Sequence, residues 1–415
     1  MNRLFLFLIL SGAVLLFDLY AYQGLKVLIS GWGNIGQRIA KSIFWGLTLI
    51  TLLSFLLYEP LSTSDRGRKF LMIFATIGVA NILGKFLFAF WLLIDDLIRL
   101  IRFLWTKLNP SFPAKEGGVS RSEFLSGVGV ISASLPILSM SWGVMSGAHD
   151  YTVKRRDLKL KNLPASFDGY TILQLSDIHA GSFWNRKAVE RGIDIINNES
   201  ADTVFFTGDI VNNKAEELVE WIDVFGKIKA KDGVFSVLGN HDYGDYVPWE
   251  SPEDKQQNLW DLISLQRDKL GWDLLINENR LITKGNDRIA VLGIENWGAR
   301  GRFPKYGDLS KAFKGVENEP VKLLLSHDPS HWREQVIPEF PSIDVTFSGH
   351  THGMQFGIEI GSLKWSPVQY FYPEWADLYK QGEQMLYVNR GFGYIGYPGR
   401  FGILPEITVF TLKKA

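Results

Sequence analysis

Long apolar runs crowd the chain before residue 146, and short ones follow it. Leu4 to Tyr22 is apolar apart from Ser11 and Asp18. Ile43 to Tyr58, Phe70 to Ile94 and Phe124 to Val144 repeat that texture. A helix needs roughly 20 apolar residues to cross a bilayer. The four runs predict four spans, the second reaching that length with the turn before it. Arg3 leads the first run as in a signal peptide, but no small-residue cleavage site closes it, so an uncleaved span is expected. Lys85 interrupts the third run, where it either snorkels to the interface or faces another helix. Leu97 to Trp105 alternates apolar groups with Arg99 and Arg102, as an interfacial continuation would. Gly24 to Lys41 and Asn109 to Arg121 read as loops.

From Asp150 the period changes. Tyr151 to Leu160 alternates like an edge strand, and Tyr170 to Leu175 reads as a central one. Lys187 to Asn198, Ala215 to Ile228 and Gln256 to Lys269 carry helical spacing. Thr203 to Phe206, Gly233 to Leu238, Trp272 to Ile276, Asn279 to Thr283, Arg288 to Ile294, Val321 to Leu325 and Ile343 to Phe347 read as short strands. Strands alternating with helices predict an α/β domain, with the later strands in a second sheet that Glu406 to Leu412 completes. The expected division is a transmembrane region over 1–146 and one domain over 147–415.

Charge adds little, since Lys+Arg and Asp+Glu are both 44. No global basic surplus argues for nucleic acid. The absence of cysteine matters more. It removes disulfides, thiolate metal sites and cysteine nucleophiles, and leaves oxygen and imidazole for any metal. Gly31-Trp32-Gly33-Asn34-Ile35-Gly36 has glycines spaced as in a dinucleotide fingerprint but lacks the strand–turn–helix around it.

Polar groups collect at the ends of the short strands. The segments are Ser176-Asp177-Ile178-His179, Gly208-Asp209, Gly239-Asn240-His241-Asp242, Ser326-His327-Asp328 and Ser348-Gly349-His350-Thr351-His352-Gly353. One Asp or His after a strand is usually a turn residue. Five such segments, holding five of the chain's seven histidines, suggest a shared site where open α/β folds place theirs. Carboxylates, an amide oxygen and imidazoles suit Mn, Fe, Co or Zn better than Ca. Two ions sharing a carboxylate would activate water and neutralise phosphoryl charge. Neither a serine nucleophile elbow nor a Walker loop is present.

In this order the segments resemble the calcineurin-like metallophosphoesterase superfamily, over about Tyr151 to the C-terminus. Asn162-Leu163-Pro164, Phe167-Asp168-Gly169, Asn389-Arg390-Gly391 and Leu404-Pro405-Glu406-Ile407 resemble its membrane-anchored YkuE-like and YaeI-like branch. The resemblance implies a four-layer α/β/β/α sandwich with two divalent metal ions. It implies that Asp177, His179 and His352 hold one ion, that Asn240, His327 and His350 hold the other, and that Asp209 bridges both. His241 would contact or protonate the substrate, and Asp242 would orient His241. Relatives in that branch resemble enzymes cleaving phosphodiesters or the pyrophosphate links of nucleotide-activated lipids. The expected protein is therefore a membrane-anchored phosphoesterase, with phosphate ester and lipid as partners and no prediction of oligomeric state.

The basic loops, placed in the cytoplasm, put the domain on the periplasmic or outer face of a cell inner membrane. The aromatics from Trp365 to Tyr379 read as a loop packed by its own rings at the rim of the site, with Arg390 and Arg400 as candidates for an anionic substrate group. The competing reading is a membrane sensor or transport-associated protein whose domain binds metal without turnover.

Overall fold

A computed structural model describes residues 3–62, 65–108, 122–301, 303–361 and 363–415. The polar stretch Asn109–Arg121 lies outside the described residues. The chain forms two compact units that divide between Trp142 and Gly143.

The first unit is helical: α1 (Arg3–Leu28), α2 (Asn34–Leu56), the short α3 (Tyr58–Ser62), α4 (Asp65–Leu108) and the start of α5 (Glu123–Met145). Among the described residues, α1, α2, α4 and α5 have the length and hydropathy to cross a membrane. Two expectations change. The loop placed over 24–41 shrinks to the few residues between Leu28 and Asn34, because both helices continue into it. The third run and its amphipathic continuation are one helix of 44 residues.

Small residues allow these helices to approach closely. A Cβ on Gly84 would stand 2.6 Å from the Ala133 carbonyl oxygen. Lys85 faces inward, not to the interface. Its Nζ donates to Asp18 Oδ2 at 2.7 Å and to Thr48 Oγ1 at 2.7 Å, and it lies 3.9 Å from the Phe44 ring centre. Asn81 Nδ2 donates to Thr51 Oγ1 at 2.9 Å.

The second unit stacks two six-stranded sheets. The first contains β1 (Thr152–Leu160), β2 (Thr171–Leu175), β3 (Thr203–Phe206), β4 (Val234–Ser236) and β5 (Asp273–Leu274). The second contains β6 (Glu278–Lys284), β7 (Asp287–Gly293), β8 (Lys322–Leu325), β9 (Val345–Ser348), β12 (Asp377–Gln381) and β13 (Gln384–Val388). A separate ribbon pairs β10 (Ile358–Ile360) with β11 (Leu363–Trp365).

The C-terminal strand β14 (Glu406–Lys414) overturns one expectation. It enters the first sheet, parallel to β1 and antiparallel to β2, instead of completing the second. There its Phe410 and Leu412 join Phe347, Tyr387 and Val291 of the facing sheet in the core between the two layers.

The crossovers β2–β3, β3–β4 and β4–β5 carry α6 (Arg186–Asn198), α7 (Glu216–Val219) with α8 (Ile222–Phe225), and α9 (Pro252–Ser264). The helix expected over 215–228 breaks at Trp221. The Glu220 carbonyl there accepts from Arg186 Nη1 at 3.0 Å, and Trp221 packs edge-on against Phe183. On the outer face of the second sheet, Leu292, Leu324 and Leu386 pack with Trp332, Val336 and residues of α10 (Leu309–Phe313), ahead of the short α11 (Ile337–Glu339). The result is a helix–sheet–sheet–helix sandwich. Strands β2, β3, β4, β8 and β9 each release their carboxyl end into a loop that carries the polar segments.

Candidate metal centre

The loops after β2, β3, β4, β8 and β9 bring seven predicted ligands together. One set of ligand atoms comes from Asp177, His179 and His352, and a second from Asp209, His327 and His350; within each set they lie within 4.8 Å of one another. Asp209 Oδ2 lies between the sets, 3.1 Å from His327 Nε2 and 3.7 Å from His179 Nε2. Asn240 Oδ1 approaches His350 Nδ1 at 2.7 Å and His327 Nε2 at 3.1 Å. His352 Nε2 is 3.0 Å from His179 Nε2 and 3.3 Å from Asp177 Oδ1.

The backbone bends to achieve this. Asp177, His179, Asp209, His350 and His352 have φ of 52°, 51°, 60°, 71° and 50°. This is the left-handed region that non-glycine residues avoid, at a cost of about 1–3 kcal/mol each. Gly239 lets two loops meet, since a Cβ there would collide with the Asp209 carboxylate.

Neighbours fix which nitrogen each ring presents. His327 Nδ1 lies 2.8 Å from the Thr207 carbonyl, an acceptor only, so Nδ1 carries the hydrogen and Nε2 faces the cluster. His350 is turned the other way. Its Nε2 meets the Tyr372 hydroxyl at 2.9 Å, and that hydroxyl donates to Asp328 Oδ2 at 3.4 Å. Tyr246 accepts from Asn240 Nδ2 at 2.8 Å, which aims Oδ1 at the histidines.

Burial shapes the charges. It pushes His179 down to about 3 and raises Asp177 to about 6. Burial would also raise Asp209, but His327 and His241 beside it hold its carboxyl well below the usual range. Burial lowers His327, yet Asp209 overrides that and lifts it to about 10. Burial thus keeps His179 neutral, and His327 alone is drawn toward its charged form by the Asp209 carboxylate.

His241 lies beside this cluster, its ring 5.0 Å from that of His179 and 4.5 Å from that of Tyr246. The expected Asp242–His241 pairing is replaced. Asp242 accepts backbone N–H groups from Gly239 at 2.8 Å and from Asp209 and Ile210 at 2.9 Å, so it clamps the Asp209 loop. The partner of His241 Nδ1 is the Asn212 carbonyl at 2.7 Å. Arg390 and Arg400 are also corrected, because both are buried. Arg390 pairs with Glu406, and with Glu359 at 3.1 Å. Arg400 donates to the Arg390 carbonyl at 2.8 Å and lies 3.1 Å from His352 Nδ1. Neither presents its guanidinium to a substrate.

Residues 170–354 match the calcineurin-like phosphoesterase family, and residues 2–148 match a probable calcineurin-like phosphoesterase transmembrane domain. A transmembrane protein with metallophosphoesterase domain from Danio rerio is 30% identical over 354 residues, 83% of this chain and 74% of that protein. The chain belongs to the calcineurin-like metallophosphoesterase family. The metallophosphoesterase YkuE of Bacillus subtilis is 28% identical over 305 residues, covering 71% of this chain and 98% of the relative. A Helicobacter pylori metallophosphoesterase is 28% identical over 280 residues, 67% of this chain and 68% of its own.

A metallophosphoesterase fold implies divalent metal ions, and the donor set fits them. Two Asp/His groups converge side by side, buried but for the half-buried His350, and Asn240 Oδ1 adds an amide oxygen to the second. The facing Nε2 atoms of His179 and His352 share at most one hydrogen between them. Mixed imidazole and carboxylate donors at such spacing suit borderline divalent ions. Tyr246, Tyr372 and the Asn212 carbonyl escaped sequence reasoning. Tyr372 was one aromatic among many, Tyr246 follows the Gly239–Asp242 segment without a pattern, and a backbone carbonyl has no sequence signature.

Proposed function

We propose that the 147–415 domain hydrolyses a phosphodiester or pyrophosphate bond, in a lipid-linked substrate, at the surface of the membrane that the 1–146 region crosses. The observation that carries this is the pair of buried Asp/His clusters meeting at Asp209, with His241 beside them. Asp177, His179 and His352 would hold one ion, Asn240, His327 and His350 the other, and Asp209 both. The pair of Mn, Fe, Zn or Co ions supplies charge neutralisation at phosphoryl oxygens and an acidified water.

The chain's own residues do the rest. The Asn212 carbonyl keeps the hydrogen of His241 on Nδ1, which leaves Nε2 to contact a phosphoryl oxygen or pass a proton to the leaving oxygen. Asp242 acts through the backbone, holding the Asp209 loop at the angle the cluster needs. Tyr372 and Tyr246 hold His350 and Asn240 in place. The lipid-linked substrate is supported by the long apolar helices ahead of the domain. A local basic patch interleaved with aromatics, as nucleic acid would require, is not conspicuous near the site.

The test is a metal-supplemented activity screen of the full-length protein with lipid-linked and nucleotide-linked phosphate esters. Hydrolysis that Asp209→Asn and His241→Ala abolish supports the reading, with metal content falling chiefly in the first. Full activity in either variant refutes the assigned roles. The domain is placed on the periplasmic or outer face of a cell inner membrane. Protease added to intact spheroplasts then cleaves it, and cleavage only after lysis refutes that side.

A further inference from the structure

The β10–β11 ribbon presents one polar and one apolar face. Antiparallel pairing sets Ile358 opposite Trp365 and Ile360 opposite Leu363, so these four side chains share a face. Glu359 and Lys364 share the other, and that face is engaged. Glu359 accepts from Lys154 at 2.7 Å and from Arg390 at 3.1 Å, and Lys364 donates to Asp377 at 3.0 Å. Among the described residues, the apolar face has no such cover. Ile360 is 73% exposed and Leu363 60%. The turn that follows continues the patch, with Tyr370 73% and Phe371 62% exposed, and Trp365 Nε1 joins it to the ribbon through the Tyr370 hydroxyl at 3.4 Å. Large apolar groups exposed together in one short segment mark an interaction surface.

The neighbouring loop identifies what covers it. Gly357 N donates to the Phe401 carbonyl at 2.9 Å, and the Phe356 ring stacks on that of Phe401 at 5.6 Å. On its other side this loop meets the end of α5. Arg400 N donates to the Gly143 carbonyl at 3.2 Å, and a Cβ on Gly147 would collide with the Arg400 carbonyl. Helix α5 has the length and hydropathy of a membrane span. The ribbon therefore adjoins the loop that packs on residues 143–147, which continue directly from that helix.

We propose that the apolar face of the β10–β11 ribbon, with Tyr370 and Phe371, inserts into the lipid of that bilayer. Lipid is the occupant because the loop beside the patch packs on residues 143–147, which follow directly in the chain on the apolar run of α5. Aliphatic residues at the tip and aromatic ones behind them suit the acyl and headgroup levels of an interface. The site is coupled to the patch, since His352 precedes the ribbon by a few residues and Tyr372, next to Phe371, holds His350. Docking fixes the mouth of the metal centre at the depth of lipid headgroups. The proposal rests on the N-terminal helices spanning the membrane, and not on which phosphate ester is cleaved.

The chain has no cysteine, so Ile360→Cys, Leu363→Cys and Tyr370→Cys can each carry one environment-sensitive fluorophore. The full-length protein is read in phosphatidylcholine–phosphatidylglycerol nanodiscs holding one copy each. Lys231→Cys, in an exposed turn, is the water reference. The expected result is blue-shifted emission at 360, 363 and 370, quenched by nitroxides on the acyl chains, and water-like emission at 231. Water-like, unquenched emission at all three patch positions overturns the proposal. A blue shift that appears only with two copies per disc assigns the face to a second copy and overturns it as well. Far-UV circular dichroism equal to the parent's confirms that each labelled protein is folded. None of these readouts depends on hydrolysis, so failure here leaves the phosphoesterase reading standing.

Discussion

At the scale of single residues, five of the ten non-glycine residues with left-handed backbone, among those described, are proposed metal ligands. Strain of that kind persists only where the surroundings impose it. The proposed ligands were legible in the sequence because each sits at the end of an apolar strand, and His179, His327, His350 and His352 come from a chain with only seven histidines. Their supports were not, because Tyr246 and Tyr372 lie outside the strand-end segments and every residue has a carbonyl. Tyr372→Phe tests one such support. Its loss removes the hydroxyl that His350 Nε2 meets, and metal affinity should fall about 10-fold or more, read as metal retained after dialysis against a graded chelator. His241→Ala should cost about 10²–10⁴-fold in hydrolysis while metal content stays at the parent level, measured on the same preparation.

At the scale of elements, local pattern found ten of the fourteen described strands but not their partners. The run from Glu406 reads equally well in either sheet, and only long-range packing of Phe410 and Leu412 puts it beside β2. The strand β12 was hidden in a stretch whose aromatic density suggests a loop, and β10 and β13, on either side of that stretch, had no reading as strands. Arg390 was misread for a related reason. Its partner Glu406 is near in sequence, but nothing local shows that both are buried. Arg390→Ala leaves Glu406 buried without its cation and should destabilise the domain by about 3–5 kcal/mol, seen as a lower thermal midpoint.

A second element-scale test uses pH. Burial raises Asp344, the residue just before β9, to about 6 against an ordinary 3.8. The folded state then holds a proton that the unfolded state has lost between about pH 4 and pH 6. The contribution of Asp344 to stability is full below that window and falls as pH rises through it. Asp344→Asn should flatten that part of the stability–pH curve, followed by denaturation in graded buffers.

At the scale of the whole molecule, four apolar runs announced four helices, and the polar residues inside them announced nothing about their partners. Lys85 had two readings until the structure placed it against Asp18 and Thr48. Removing one member should harm more than removing both, because an unpaired charge in hydrocarbon is costly. Lys85→Ala should lower the amount of protein recovered from membranes. Adding Asp18→Ala should restore part of it, measured by quantitative immunoblot.

That same pair sets an order on the protein's birth. Asp18 emerges from the ribosome 67 residues before its cation, and Thr48 arrives between them. Until the third long helix follows, the first carries a charge that the hydrocarbon rejects. Its cation is available only once the third is in place. The stable place of the first helix in the bilayer is thus tied to the second and third helices, which supply Thr48 and Lys85.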